Sequence, residues 1–202
     1  MADAELLRRA AAAALAIPHD EVVPLSGSEV RARGERWRVS SSALHGLDEG
    51  ECPDVLIVSP VTTDDPEAAV WVAPLHNSFR ALSNADTVAE LFSRCDSLPA
   101  ETLARLIAIN LGPLGAEAVV VRDDELDVVL GSRSPVVPRG ERVPRLIRDS
   151  SGGWQLQFVS YRTYKSGGGL LASVAAWRAV FEGAVLSLDR TEIISDAPFP
   201  PG

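Results

Sequence analysis

The chain lacks several features that would identify its class directly. None of its apolar runs reaches the roughly 18 residues that a membrane-spanning helix needs. Its two cysteines, Cys52 and Cys95, are too few for a disulfide framework, which favours a reducing compartment. Only Lys165 among the 19 basic residues is a lysine, so an individual arginine needs no role beyond solubility. We therefore expect a cytoplasmic protein that does not span a membrane.

Acidic residues outnumber basic ones in the 202 residues. There are 28 Asp and Glu against 19 Lys and Arg, which gives a formal net charge of −9. A negative surface disfavours general binding to nucleic acids and to acidic membranes. The length fits one domain or two small ones. We predict a single composite domain over residues 1–202; the proline-bearing stretch 132–144 is where a linker between subdomains would fall.

The N-terminal segment predicts an amphipathic helix that ends before Pro18. Its apolar positions at near-helical spacing are Leu6, Ala10, Ala14 and Ile17. An export signal is the alternative, but Asp3 and Glu5 cancel the charge of the arginines that such a signal would need.

Two further helical stripes occur in the middle of the chain. The positions are Val88, Leu91, Phe92 and Cys95 in the first, and Leu103, Ile107 and Leu111 in the second. Residues three and four apart share one face of a helix, so each set predicts an apolar helix face. The short polar link between the stripes predicts a central helical hairpin.

The C-terminal half is typical of β-structure. Val119–Val121 and Val128–Leu130 flank three acidic residues and predict a β-hairpin. Residues 170–181 fit a helix or a strand, and we favour a strand because a glycine-rich turn precedes them and Gly183 follows. The overall prediction is an α+β fold with antiparallel sheets, an N-terminal helix, a central helical hairpin and a C-terminal β-meander.

Four arginines alternate with apolar residues in a predicted hairpin. They are Arg31, Arg33, Arg36 and Arg38. With Gly34-Glu35 as the two-residue turn, Arg33 lies opposite Arg36 and Arg31 opposite Arg38. Because like charges that oppose each other are destabilising, something anionic should lie near them.

Two sources of that negative charge are open. One is an external anion or acidic partner, and the other is this chain's own acidic stretch. Between Val39 and Phe79 there is no Lys or Arg, and the seven acids there are Asp48, Glu49, Glu51, Asp54, Asp64, Asp65 and Glu67. Internal charge matching, or plain solvation of the arginines, is favoured slightly over a functional anion site, because surface charges usually contribute little.

The remaining motifs are weak. Five residues that can bind metals, His45, Asp48, Glu49, Glu51 and Cys52, match no zinc spacing, so we predict no metal and no cofactor. A basic stretch could follow a phosphate backbone but lacks stacking aromatics, so nucleic-acid binding is disfavoured. Its arginines are Arg133, Arg139, Arg142, Arg145 and Arg148.

The leading functional hypothesis is a non-enzymatic, intracellular protein-binding or adaptor module. Its contact face would contain Arg31, Arg33, Arg36 and Arg38, and its partner would be an acidic protein. One alternative is a small cofactor-free hydrolase that uses His45 or His76 with acids from distant parts of the chain. Another is a structural subunit of a larger assembly. The sequence leaves the partner and the oligomeric state open.

Overall fold

The chain forms an α+β structure with antiparallel sheets, as predicted. The computed structural model describes residues 3–42, 54–63, 68–95, 98–112, 117–131, 136–150 and 152–199. Two compact units divide the chain, Met1–Leu98 and Pro99–Gly202. Residues 132–144 fall inside the second unit, and the single composite domain stays a prediction. In the part of the chain that is described, no helix is long and apolar enough to cross a membrane.

The first unit contains two helices around a six-stranded antiparallel meander. Its elements are α1 (Ala4–Leu15), β1 (Val23–Pro24), β2 (Glu29–Ala32), β3 (Glu35–Ser42), β4 (Val55–Pro60), β5 (Val70–Leu75), β6 (Ser78–Ala81) and α2 (Ala85–Arg94). The strands follow one another in the sheet in chain order, so each pairs with its neighbours along the chain. A short 3-10 turn, His19–Glu21, links α1 to β1.

The N-terminal helix is confirmed, but its buried face differs from the predicted one. The side chain of Asp3 accepts a hydrogen bond from the Glu5 amide at 3.0 Å and so caps the first turn. The buried residues are Leu7, Ala10, Ala11, Ala12 and Leu15, whereas Leu6 is exposed. Alanine occupies half of the positions of this helix and fits any face, so the hydrophobic pattern was too weak to orient it.

Helix α1 covers one face of the first sheet. Val30, Val39, Val58 and Val72 form a buried cluster with the apolar residues of α1. Because successive side chains in a strand point to opposite faces, the residues between these valines belong to the other face of the sheet. Helix α2 contacts β5. The β2–β3 hairpin is therefore apolar towards α1 and polar on its other side.

The turn between β2 and β3 lies one residue earlier than predicted. Arg33 and Gly34 occupy it with φ values of 53° and 80°, the positive values that a type I′ turn requires. As a result Arg31 pairs with Arg36, and Glu29 pairs with Arg38. The predicted Gly34-Glu35 turn, with Arg33 opposite Arg36 and Arg31 opposite Arg38, is wrong.

The second unit is built on a long C-terminal meander, which confirms the prediction. Its elements are α3 (Ala100–Leu111), β7 (Ala118–Val119), α4 (Glu125–Leu130), β8 (Arg145–Arg148), β9 (Trp154–Ser166), β10 (Gly169–Glu182) and β11 (Val185–Phe199). The sheet has the order β11-β10-β9-β7, and β8 also pairs with β9. Residues 170–181 lie in β10, so the strand interpretation is correct. Helices α2 and α3 correspond to the two predicted central helices.

Helix α4 replaces the hairpin that was predicted over Val119–Val121 and Val128–Leu130. Leu126, Val129 and Leu130 are buried at helical spacing. The carboxylate of Glu125 accepts hydrogen bonds from the Val121 amide at 3.0 Å and from the Tyr161 hydroxyl at 3.1 Å, which ties the helix start to β9. Burial, and secondarily the charge of Glu125, raises the pKa of Tyr161 above its ordinary value.

We expect Gly34→Ala to lower the free energy of unfolding by about 1 kcal/mol, because φ 80° at Gly34 is a conformation that residues with a Cβ rarely adopt. No atom lies within 4 Å of the added methyl, so the cost is one of backbone conformation. Urea denaturation followed by tryptophan fluorescence measures it. The control is Gly169→Ala, whose Cβ would meet only the Ser166 carbonyl oxygen at 3.9 Å. An equal loss in both variants would contradict the assigned turn.

Candidate functional site

Three of the four predicted site arginines share one exposed surface. Arg31, Arg36 and Arg38 are exposed on the face of the β2–β3 hairpin that points away from α1. Arg31 and Arg36 are directly paired across the two strands, and Glu29 is paired with Arg38. We call these four residues the arginine face.

Glu29 supplies the only carboxylate within the arginine face. Arg36 donates to its Oε2 through both Nε, at 3.1 Å, and Nη2. Arg38 Nη2 lies 3.9 Å from Oε1 of the same carboxylate. The Glu29 side chain is only 18% exposed, so it lies below the two guanidinium groups. Two of the three arginines therefore share one carboxylate, and Arg31 has no ion pair with any described residue.

Arg33 lies in the turn and contacts the end of α1 instead. Its Nη2 donates to the backbone carbonyl of Leu15 at 2.8 Å. Leu15 is the last residue of α1, where carbonyl groups lack partners within the helix, and a cation there is favoured by the helix dipole. Arg33 therefore caps α1 instead of joining the arginine face.

Apolar side chains continue the same face of the sheet. Ser59 pairs with Arg38, and Ile57 pairs with both Ser40 and Trp71. Ile57 and Trp71 are half-buried. Arginine and tryptophan are the residue types that dominate the binding energy of protein interfaces. The composition of this face thus resembles a contact surface more than a purely solvated one.

Most of the predicted acidic stretch lies outside the described residues. Those residues are Asp48, Glu49, Glu51, Asp64, Asp65 and Glu67, and the potential metal ligands His45 and Cys52 lie outside as well. Asp54, which is described, is exposed and makes no ion pair with the arginine face. Neutralisation of the arginines by this stretch stays a prediction. Among the described residues, no group of His, Cys, Asp and Glu could hold a metal ion.

His76 belongs to an exposed charge cluster at the β5–β6 turn. Its Nε2 lies 2.8 Å from Glu90 Oε1, and Glu90 Oε2 accepts from Arg80 at 2.8 Å. Arg94 Nη2 is 2.9 Å from the imidazole Nε2. This cluster is a surface ion-pair network and contains no nucleophile.

Two of the five arginines of the basic stretch form hydrogen bonds within the second unit, and Arg133 lies outside the described residues. Arg142 is 2% exposed and donates to the carbonyl oxygens of Val137 at 2.8 Å and Asp123 at 2.7 Å. Asp127 accepts from Arg142 at 2.8 Å and from Arg139 at 2.5 Å. Arg145 and Arg148 are exposed on β8. Two of the predicted arginines therefore stabilise the loop before β8.

A groove of about 410 Å³ lies between the 136–141 segment and the sheet of the second unit. Its walls are apolar at Val136, Val159 and Ile193, and its polar lining includes Arg178 and Asp189. Arg178 donates to Gln155 at 3.0 Å instead of pairing with Asp189, its cross-strand neighbour. The hydrolase alternative requires a histidine as its base, and none of the described residues that line this groove is a histidine.

A buried polar ribbon crosses the sheet of the second unit, and sequence reasoning missed it. Arg190 on β11 donates to Glu117 Oε1 at 2.7 Å, and their side chains are 17% and 1% exposed. Trp177 Nε1 donates to the Ser160 hydroxyl at 2.7 Å, and Ser160 donates in turn to Glu117. The guanidinium of Arg190 lies 5.5 Å from the centre of the Trp177 ring. These four residues form the polar ribbon.

Strand β11 is an edge of the second sheet over its 15 residues. Exposed edges of this kind support the alternative of a structural subunit. However, the pairing of β11 with β10 shifts register twice between Ala172 and Ala175. Such bulges are one of the ways in which proteins protect a sheet edge from unwanted pairing.

Cys95 is buried, as predicted, but it is not a free thiol. It is 2% exposed and disulfide-bonded. Disulfides persist mainly in oxidising compartments, so this bond opposes the reducing compartment that the low cysteine content favoured.

Comparison with known proteins finds no match: no family model, no curated protein and no solved structure matches the chain.

We expect Glu117→Gln to lower the free energy of unfolding by about 3 kcal/mol, because it leaves the largely buried Arg190 without its counter-charge. Glu192→Gln is the matched control, since its carboxylate is 3.9 Å from the same guanidinium but is exposed. That change should stay within about 0.5 kcal/mol of the parent. Denaturant titration compares them, and similar losses in both would refute a dominant role for the buried pair.

The disulfide predicts that Cys95 resists alkylation in the unfolded chain until a reductant is added. Peptide mass mapping after iodoacetamide treatment in denaturant, with and without prior reduction, measures this. Carbamidomethylated Cys95 in the unreduced sample would show that the thiol is free.

Proposed function

We propose that the protein is a binding module that docks an acidic protein partner on the arginine face. The observation that carries the proposal is the cross-strand pair of Arg31 and Arg36 on a face where Glu29, the one carboxylate among these four residues, contacts Arg36 and Arg38 but not Arg31. Like charges that oppose each other on a sheet are destabilising, and an external anion relieves this repulsion. Arg33, which caps α1, is not part of the proposed contact set.

The charge distribution favours an oriented encounter. The whole chain carries a formal charge of −9, whereas the arginine face is locally positive. An acidic partner is repelled by the rest of the surface and attracted to this face, which aligns the two molecules before contact. Ile57 and Trp71, which lie on the same face, supply apolar area for the bound state.

The partner should contact side chains of the face instead of adding a strand to the sheet. The neighbouring sheet edge is β1, which has two residues and includes Pro24. A proline lacks the backbone donor that strand addition uses, and so short an edge offers few hydrogen bonds. The disulfide of Cys95 favours an oxidising compartment over a cytoplasmic location.

Reversing both arginines, Arg31→Glu with Arg36→Glu, should weaken binding of a labelled oligoglutamate peptide at least about 10-fold at low salt and should slow its association. It should also flatten the dependence of affinity on salt concentration. Fluorescence anisotropy and stopped-flow mixing measure these quantities.

The control changes the net charge equally at two exposed arginines of the second unit, Arg105→Glu with Arg122→Glu. These residues lie outside the arginine face, so their reversal tests the effect of net charge alone. Equal binding by the two double variants would remove the arginine face as the docking site.

A further inference from the structure

Glu29 occupies the position on the arginine face that an acidic ligand would take. Its carboxylate accepts from Arg36 through Nε and Nη2 and lies 3.9 Å from Arg38 Nη2. An arginine presents the same donor pair to an external carboxylate. For Arg36, the internal and external partners therefore compete for the same edge of the guanidinium.

The backbone keeps Glu29 close to any anion that binds there. Its carbonyl oxygen accepts from the Leu25 amide at 2.8 Å, and its cross-strand partner is Arg38. Glu29 and Arg31 are two residues apart on β2 and therefore share a face. When the side chain releases Arg36 it can rotate, but its negative charge stays on the same surface.

We propose that Glu29 is a built-in competitor that selects against weakly charged ligands on the arginine face. This inference rests on the proposed function. A single carboxylate can contact Arg31 or the exposed Arg38 without displacing Glu29, but it reaches the Nε and Nη2 donors of Arg36 only by displacing Glu29. A segment with two or more neighbouring carboxylates contacts Arg31 first and then exchanges with Glu29 at Arg36. The fitting partner is thus a peptide segment with clustered acidic side chains, and isolated acidic residues bind poorly.

The test compares Glu29→Gln with Glu35→Gln in binding to labelled oligoglutamate. Both changes remove one negative charge from the same hairpin, but Glu35 pairs with Ala32 and belongs to the face opposite the arginines. Removing a like charge beside the bound anion should tighten binding by Glu29→Gln about 5- to 10-fold at low salt. Glu35→Gln should stay within about 2-fold of the parent.

Selectivity provides a second readout. The parent should bind a peptide with alternating glutamate and serine much more weakly than oligoglutamate, and Glu29→Gln should narrow that difference. Glu29→Asp keeps the charge but shortens the side chain, so it should give a smaller gain than Glu29→Gln. Circular dichroism checks that each variant is folded.

The outcomes separate the inference from the proposed function. If Glu29→Gln binds no better than Glu35→Gln while the double arginine reversal abolishes binding, Glu29 is not a competitor and the docking site stands. Weaker binding by Glu29→Gln overturns the inference too, because Glu29 would then be positioning Arg36 and Arg38 for the ligand. If the double arginine reversal has no effect, the proposed function itself fails.

Discussion

The two-residue turn at Arg33 and Gly34 determines how β2 and β3 are aligned, and the charge arrangement of the first unit depends on that alignment. The left-handed backbone of Arg33 and Gly34 sets Arg31 opposite Arg36 and Glu29 opposite Arg38. The Arg33 side chain also reaches the last carbonyl of α1, so helix and turn stabilise each other. A turn one residue later would set Arg31 opposite Arg38 and Glu29 opposite Ser40, so Glu29 would lose Arg38 as its cross-strand partner.

Hydrophobic alternation could not have identified this alignment from the sequence. Moving the turn by one residue shifts the strand pairing by two, and a shift of two leaves every side chain on its original face. Val30 and Trp37 point towards α1 in either alignment, so the apolar pattern agrees with both. The deciding feature is the positive φ of Arg33, which is uncommon for an arginine and leaves no signature in the local sequence.

Elsewhere in the fold, elements with a long hydrophobic pattern could be predicted from the sequence, and elements with a short one could not. The central helices have apolar stripes of two or more turns, and the long strand β10 is bounded by glycine-rich turns, so both could be recognised. Val128–Leu130 is a run of three apolar residues, which a short helix and a strand accommodate equally well. The Glu117–Arg190 pair joins residues 73 positions apart, a separation that no local pattern reports.

The polar ribbon also favours one strand register in the sheet of the second unit over registers that are shifted by two residues. Strands β9 and β10 are long and carry apolar residues at alternate positions over much of their length, so sliding one past the other by two residues would keep their apolar side chains on the same faces. Such a slip would separate Arg190 from Glu117 and leave a carboxylate buried without its hydrogen bonds. The hydrogen bonds and the ion pair of the polar ribbon form in only one strand register. They therefore disfavour shifted sheets that hydrophobic burial alone would not distinguish from the native one.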